Sequence, residues 1–222
     1  MPHHKTDQVK FNTQNEDKPY NSGNSFKKKE KRPPKKITST YLHNSGIYYL
    51  ERFVASKAHF KSVMIRKVKR SCMHHKDQDF DSCAKMVDET ADKLEEMGLL
   101  NDVLYTNGMV TSLRRKGMSR NAIIQKMRVK GIEPPHTIGA LEKLDSEHHD
   151  DEKNAEISAA LRLAKKKKMG PFNISAPKNS DDKAKETNKH LGRFARAGFS
   201  YQIARLVIDM SEEDLSEFDL YH

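Results

Sequence analysis

Ser119-Arg120-Asn121-Ala122-Ile123-Ile124-Gln125-Lys126-Met127-Arg128-Val129-Lys130-Gly131-Ile132 reads as one helix with both of its ends marked. Ser119 is a good N-cap, and Ile123 and Met127 follow at plus four and plus eight on one face. Gly131 suits the left-handed residue that closes a helix. Both marks recur. Ser56 precedes Phe60 and Met64 at the same spacings, and Phe194-Ala195-Arg196-Ala197-Gly198-Phe199 has the same ending. Helices of one design at three places along a chain predict tandem structural units.

Working outward, each of these helices has a neighbour on either side. Val87, Ala91 and Leu94 form an apolar stripe that stops at Gly98; Ile138, Leu141 and Leu144 form another after Pro134-Pro135; Ile203, Leu206 and Val207 form a third after Ser200. Ahead run Ile47 to Ala55, Val103 to Lys116 with Tyr105, Met109 and Leu113 facing inward, and Ile157 to Lys168. No alternation of apolar and polar residues lasts beyond two or three positions, so strands are not expected. The expectation is an all-α chain of three tandem three-helix repeats, stacked into an elongated, curved array because three short helices bury little alone. The repeats are placed at 41–102, 103–148 and 149–210. A disordered basic tail, 1–40, precedes them and an acidic tail, 211–222, follows.

Charge is sorted along the same units. Residues 52–76 hold eight bases and no acid, and 79–102 hold eight acids and two bases. Residues 103–132 hold seven bases and no acid, 133–156 eight acids and two bases, 157–208 twelve bases and three acids, and 209–222 six acids and no base. Over all 222 residues the net charge is +10, which suits nucleic acid, an anionic membrane or an acidic protein surface. No apolar run approaches the ~18 residues that span a bilayer, and the N-terminal forty residues lack a signal-peptide core. Two cysteines are too few for a disulfide scaffold. A cytoplasmic protein with no membrane partner is expected.

Catalysis is not expected. The chain has no glycine-rich phosphate loop, no dinucleotide turn and no His-Glu-x-x-His, and its carboxylates fall on solvated helix faces. Cys72, His74, His75 and Cys83 could ligate zinc, but close twins stand at only one end, so the stretch reads as a loop with two helix-flanking thiols. No metal and no cofactor are expected. The basic helices carry the functional signal, because Lys and Arg on one face neutralise phosphates or pair with acidic side chains. Arg114, Arg115, Lys116 and Arg120 bracket Gly117 and concentrate four charges at one corner, and Arg114, Arg115 and Arg120 are expected to point into solvent. Lys126, Arg128 and Lys130 continue that surface, with Arg66, Lys69 and Arg70 in the first unit and Arg193 and Arg196 in the third.

The ordered motifs resemble the RecX family, regulators of the bacterial recombinase RecA. Leu94-Glu95-Glu96-Met97-Gly98-Leu99-Leu100-Asn101-Asp102 is similar to the family's segment of leucine, acids, glycine, paired leucines and aspartate. Ser112-Leu113-Arg114-Arg115-Lys116-Gly117 followed by Ile124 to Ile132 resembles its second repeat. Tyr49-Leu50 with Ser56, Ala159-Ala160-Leu161 onward, and Arg193 to Ser200 extend the likeness over about residues 45–210. The long basic tail, the Cys72 to Phe80 connection and the acidic end after Met210 depart from the family pattern. The resemblance implies a monomer that lodges in the groove of the RecA filament on single- or double-stranded DNA. There it hinders ATP hydrolysis, strand exchange and cleavage of the SOS repressor. A stand-alone helix-turn-helix nucleic-acid-binding protein is the alternative reading of the same basic helices.

Overall fold

Among the described residues nine helices begin at a polar side chain that accepts the amide three residues on: Thr38, Ser56, Asp79, Asn101, Ser119, Asp151, Asn179, Ser200 and Ser211. Each such cap contributes about 1 kcal/mol. A computed structural model describes residues 33–148, 151–174, 179–216 and 218. Among these the elements are α1 (Ser39–Leu50), α2 (Lys57–His74), α3 (Phe80–Glu96), α4 (Asp102–Arg115), α5 (Arg120–Val129), α6 (Pro134–His148), α7 (Glu152–Lys167), α8 (Ser180–Arg196), α9 (Tyr201–Asp209) and α10 (Glu212–Ser216), with a 3-10 turn at Gly170–Phe172 and no strand. The expected all-α class is what the described residues adopt.

The apolar core falls into three clusters, each supplied mainly by three consecutive helices. Leu42 of α1, Phe60, Met64 and Val68 of α2, and Val87, Ala91 and Leu94 of α3 close the first. Val110 and Leu113 of α4, Ile123 and Met127 of α5, and Leu141 of α6 close the second. Leu161 of α7, Phe194 of α8, and Ile203 and Val207 of α9 close the third. The residues four and eight beyond Ser56 and Ser119 are all fully buried. Gly131 and Gly198 adopt φ +78 and +85, and the following residue donates back to the carbonyl five positions earlier, Ile132 to Met127 and Phe199 to Phe194. That is the helix-closing geometry expected of those glycines.

Two expectations need correction in the first unit. The helix placed at Ile47 to Ala55 is α1, which starts at Ser39 and ends at Leu50. Gly46 is buried mid-helix, where a Cβ would come within 2.9 Å of Leu94 and 3.0 Å of Phe60, so it allows α1 to approach both other helices. Residue 40 likewise falls inside α1, and Pro34 to Thr38 are held against α2. Ser71 donates to the Lys35 carbonyl, the Gln78 amide exchanges two hydrogen bonds with the Ile37 backbone, and His75 Nε2 meets the Pro34 carbonyl at 2.8 Å. Ile37 itself is buried. The long connection after Cys72 thus forms the wall on which this segment lies. Of the tails expected at 1–40 and 211–222, residues 1–32, 217 and 219–222 lie outside the described residues, and the start of the acidic one is no tail: it forms α10, and Leu215 and Phe218 pack against the third cluster.

In the third unit His190 is buried, and its Nδ1 accepts from the Gly170 amide at 3.3 Å, fixing the 3-10 turn to α8. Burial lowers its pKa below the ordinary histidine value; Arg193 and Lys189 act the same way and Glu186 opposes them. The unfolded chain therefore takes up this proton before the folded one does, so stability falls as pH drops below ~6.5. Melting temperature should decline over that range, and His190→Asn should flatten the decline. An unchanged pH profile in the variant would show that His190 does not carry it.

Candidate functional site

The surface most able to meet a partner is built from the second helix of each unit. The chain joins these helices carbonyl end to amide end. Ser56 at the start of α2 donates to the Lys130 carbonyl at the end of α5 at 2.5 Å, and Ser119 at the start of α5 donates to the Ala197 carbonyl at the end of α8 at 2.7 Å. The first amide of each helix also receives a carboxylate from the next unit: Lys57 N–H donates to Asp102 at 2.8 Å, and Arg120 N–H to Glu156 at 3.2 Å. The closing glycines fit against the same first turns. A Cβ on Gly131 would overlap the Ala58 methyl, and one on Gly198 would lie 2.6 Å from Ser119 Oγ. One junction geometry is used twice.

Neither α2 nor α5 carries an acidic residue. On α2 the cations divide by direction. Lys57 is paired with Asp92 at 2.8 Å and Glu95 at 2.5 Å, and Lys61 with Asp88 at 3.1 Å, all on α3. Asp92, then Glu95, raise the Lys57 pKa above its ordinary value. These are exposed pairs, worth at most ~1 kcal/mol each. Arg66, Lys69 and Arg70 are exposed, and helical spacing puts Arg66 and Arg70 on the side away from the two paired lysines. On α5 Lys126 and Arg128 are exposed and Lys130 is half-buried; on α8 Arg196 is exposed and Arg193 half-buried.

The corner at Gly117 differs from expectation. Arg115 and Lys116 do face solvent, beside a shallow recess on α4 lined by Asn107, Gly108, Thr111 and Ser112. Arg114 does not. It is 4% exposed and grips Asp145 of α6 with two hydrogen bonds, Nε to Oδ1 at 3.1 Å and a terminal nitrogen to Oδ2 at 2.9 Å. Its other terminal nitrogen reaches Glu156 of α7 at 2.6 Å and the Met118 carbonyl at 3.3 Å. Burial disfavours its charge, and Asp145 and Glu156 together more than offset that and raise its pKa. Arg120 is also engaged, with Glu142 at 3.1 Å and Glu152 at 3.3 Å. Arg114 and Arg120 therefore tie the second unit together and join it to α7, and the expectation that they point into solvent is overturned. Sequence reasoning overlooked their acidic partners, and it overlooked His59 on α2.

No three His, Cys, Asp or Glu side chains converge as metal ligands among the described residues, and no helix there is long and apolar enough to cross a membrane. No family model matches the chain. It is 36% identical over 189 residues to the Regulatory protein RecX of Myxococcus xanthus, covering 84% of this chain and 95% of that one. It is 26% identical to the Regulatory protein RecX of Agrobacterium fabrum, covering 80% and 87%. The crystal structure of RecX from Lactobacillus salivarius superposes with a TM-score of 0.54 over 81% of this chain and 97% of that one, at 19% identity. That last likeness concerns the fold alone.

Proposed function

Because the chain belongs to the RecX family, we propose that it is a non-enzymatic regulator that binds the RecA filament on DNA and restrains its ATP hydrolysis, strand exchange and coprotease activity. The observation that carries this reading is the exposed surface of α2 and α5, where Arg66, Lys69, Arg70, Lys126 and Arg128 stand on helices without an acid. Such a side suits the phosphates of a nucleoprotein filament on single- or double-stranded DNA. The acidic helices supply a second kind of surface for protein contact. A binder that prefers one filament state shifts the population toward it without catalysing anything. The protein works on this reading as a cytoplasmic monomer and needs no cofactor.

The test is single-stranded-DNA-dependent ATP hydrolysis by the cognate RecA, titrated with this protein. Turnover should fall at well below one protein per RecA; unchanged turnover over a wide ratio would end the proposal. A truncation should start at Pro33 so that Ile37 and the Thr38 cap are kept, and equal inhibition by it would make residues 1–32 dispensable. Replacing Arg115, Lys126 and Arg128 with Ala should weaken inhibition roughly tenfold or more, since each lost phosphate contact lowers affinity and flattens its salt dependence. Full inhibition by that variant would place the contact on another face.

A further inference from the structure

His59 sits where the two best-exposed basic surfaces meet. On a helix of 3.6 residues per turn, His59, Ser62, Arg66 and Arg70 fall on the side opposite Lys57 and Lys61, the two lysines that α3 holds. His59 and Arg66 are seven residues apart, about 10 Å along the axis. At the amide end of α2 the Ser56 bond to the Lys130 carbonyl and the fit of Gly131 against Ala58 bring the last turn of α5 alongside. Lys130 arrives there half-buried. The result is a half-buried imidazole flanked by two cations, with an exposed Ser62 on the same side of the helix and no acid on either helix.

We propose that Lys130, His59 and Arg66 form a seat for a phosphodiester of a nucleic-acid strand, with His59 as a third cation whose protonation the bound phosphate favours. In the free protein burial lowers the His59 pKa first, and the charges of Lys130 and Arg66 lower it further. Those two are the charged groups that face the ring, from α5 and from its own helix. Asp102 of α4, at the same end of α2, is committed to the Lys57 amide. A phosphate between the cations cancels their field and accepts the ring N–H, so a proton moves from solvent to the imidazole as the strand docks. A polynucleotide is favoured over an acidic peptide because the cations continue along the same helix to Arg70. The seat deepens the filament reading and fails separately from it.

The experiment measures binding of the full chain to a labelled oligothymidylate at fixed salt and varied pH. Wild type should bind roughly three- to tenfold tighter near pH ~6 than near pH ~8, a raised pKa of up to one unit being worth tenfold. His59→Gln should lose that pH dependence, whereas His59→Lys should bind tightly at both. The His59 ring protons, followed by NMR, should titrate at higher pH with the oligonucleotide present. Identical pH profiles for wild type and His59→Gln, or a titration unmoved by oligonucleotide, would overturn the seat. A pH dependence that follows an acidic peptide instead would also overturn it. Oligonucleotide binding with this proton linkage but no effect on RecA turnover would leave the seat standing and remove the filament reading.

Discussion

Arg114→Ala should cost the fold about 3–5 kcal/mol, because it leaves Asp145 and Glu156 as carboxylates without the cation that offsets their burial. Asp145 is 4% exposed and loses both of its bonds to the guanidinium. Glu156 keeps its bonds to the Arg120 amide. Asp145→Ala should cost a similar amount by stranding the arginine. The double variant Arg114→Met with Asp145→Leu should recover much of the loss, since a buried pair replaced by apolar side chains is often neutral. Equilibrium urea unfolding with purified proteins measures all three. A loss below about 1 kcal/mol for Arg114→Ala would mean that the corner is solvated after all and that Arg114 is free to serve a partner. The outcome also guards the functional test, because loss of inhibition in an Arg114 variant would report unfolding and not a missing contact.

Gly131→Ala should cost roughly 2–4 kcal/mol. The left-handed backbone at φ +78 charges an L side chain about 1–2 kcal/mol, and overlap with the Ala58 methyl adds a similar amount. The two parts can be separated. Ala58→Gly removes the methyl that is struck, so in the double variant the overlap disappears and the backbone strain stays. A coupling of about 1–2 kcal/mol between the two sites is expected from urea midpoints. Strict additivity would mean that the units do not meet at this point.

The helices were legible where the code is local. Ser56, Ser119, Gly131 and Gly198 act within one turn of themselves, and the plus-four and plus-eight residues after each serine became core because helical periodicity alone decides their side. The first two turns of α1 were missed because Leu42 and Gly46 are the only residues of that helix that become buried, so no apolar stripe marks it. The role of Pro34 to Ile37 stayed hidden because its partners, Ser71, His75 and Gln78, lie more than thirty residues away. Arg114 failed for a related reason. It stands four residues after Val110, in register with the buried stripe of α4, but a charge in that register has no readable meaning until its carboxylates are found, 31 and 42 residues further on. Residues such as Arg66 and Arg128, whose exposure follows from helical face alone, were placed correctly on the surface.

The end-to-end joining of α8, α5 and α2 also explains how a helix can be free of acids. A helix carries about half a positive charge at its amide end and half a negative charge at its carbonyl end, and ordinarily places Asp or Glu in its first turn. The first turns of α2 and α5 hold none. Their compensation is borrowed: the carbonyl end of the following unit's second helix and one carboxylate, Asp102 or Glu156, stand in front of each. α8 supplies its own Asp181 and Asp182, and at the far end of the row α2 finishes on His74. Macrodipoles coupled in series thus relieve the inner helices of negative side chains, and their outward sides keep a single sign.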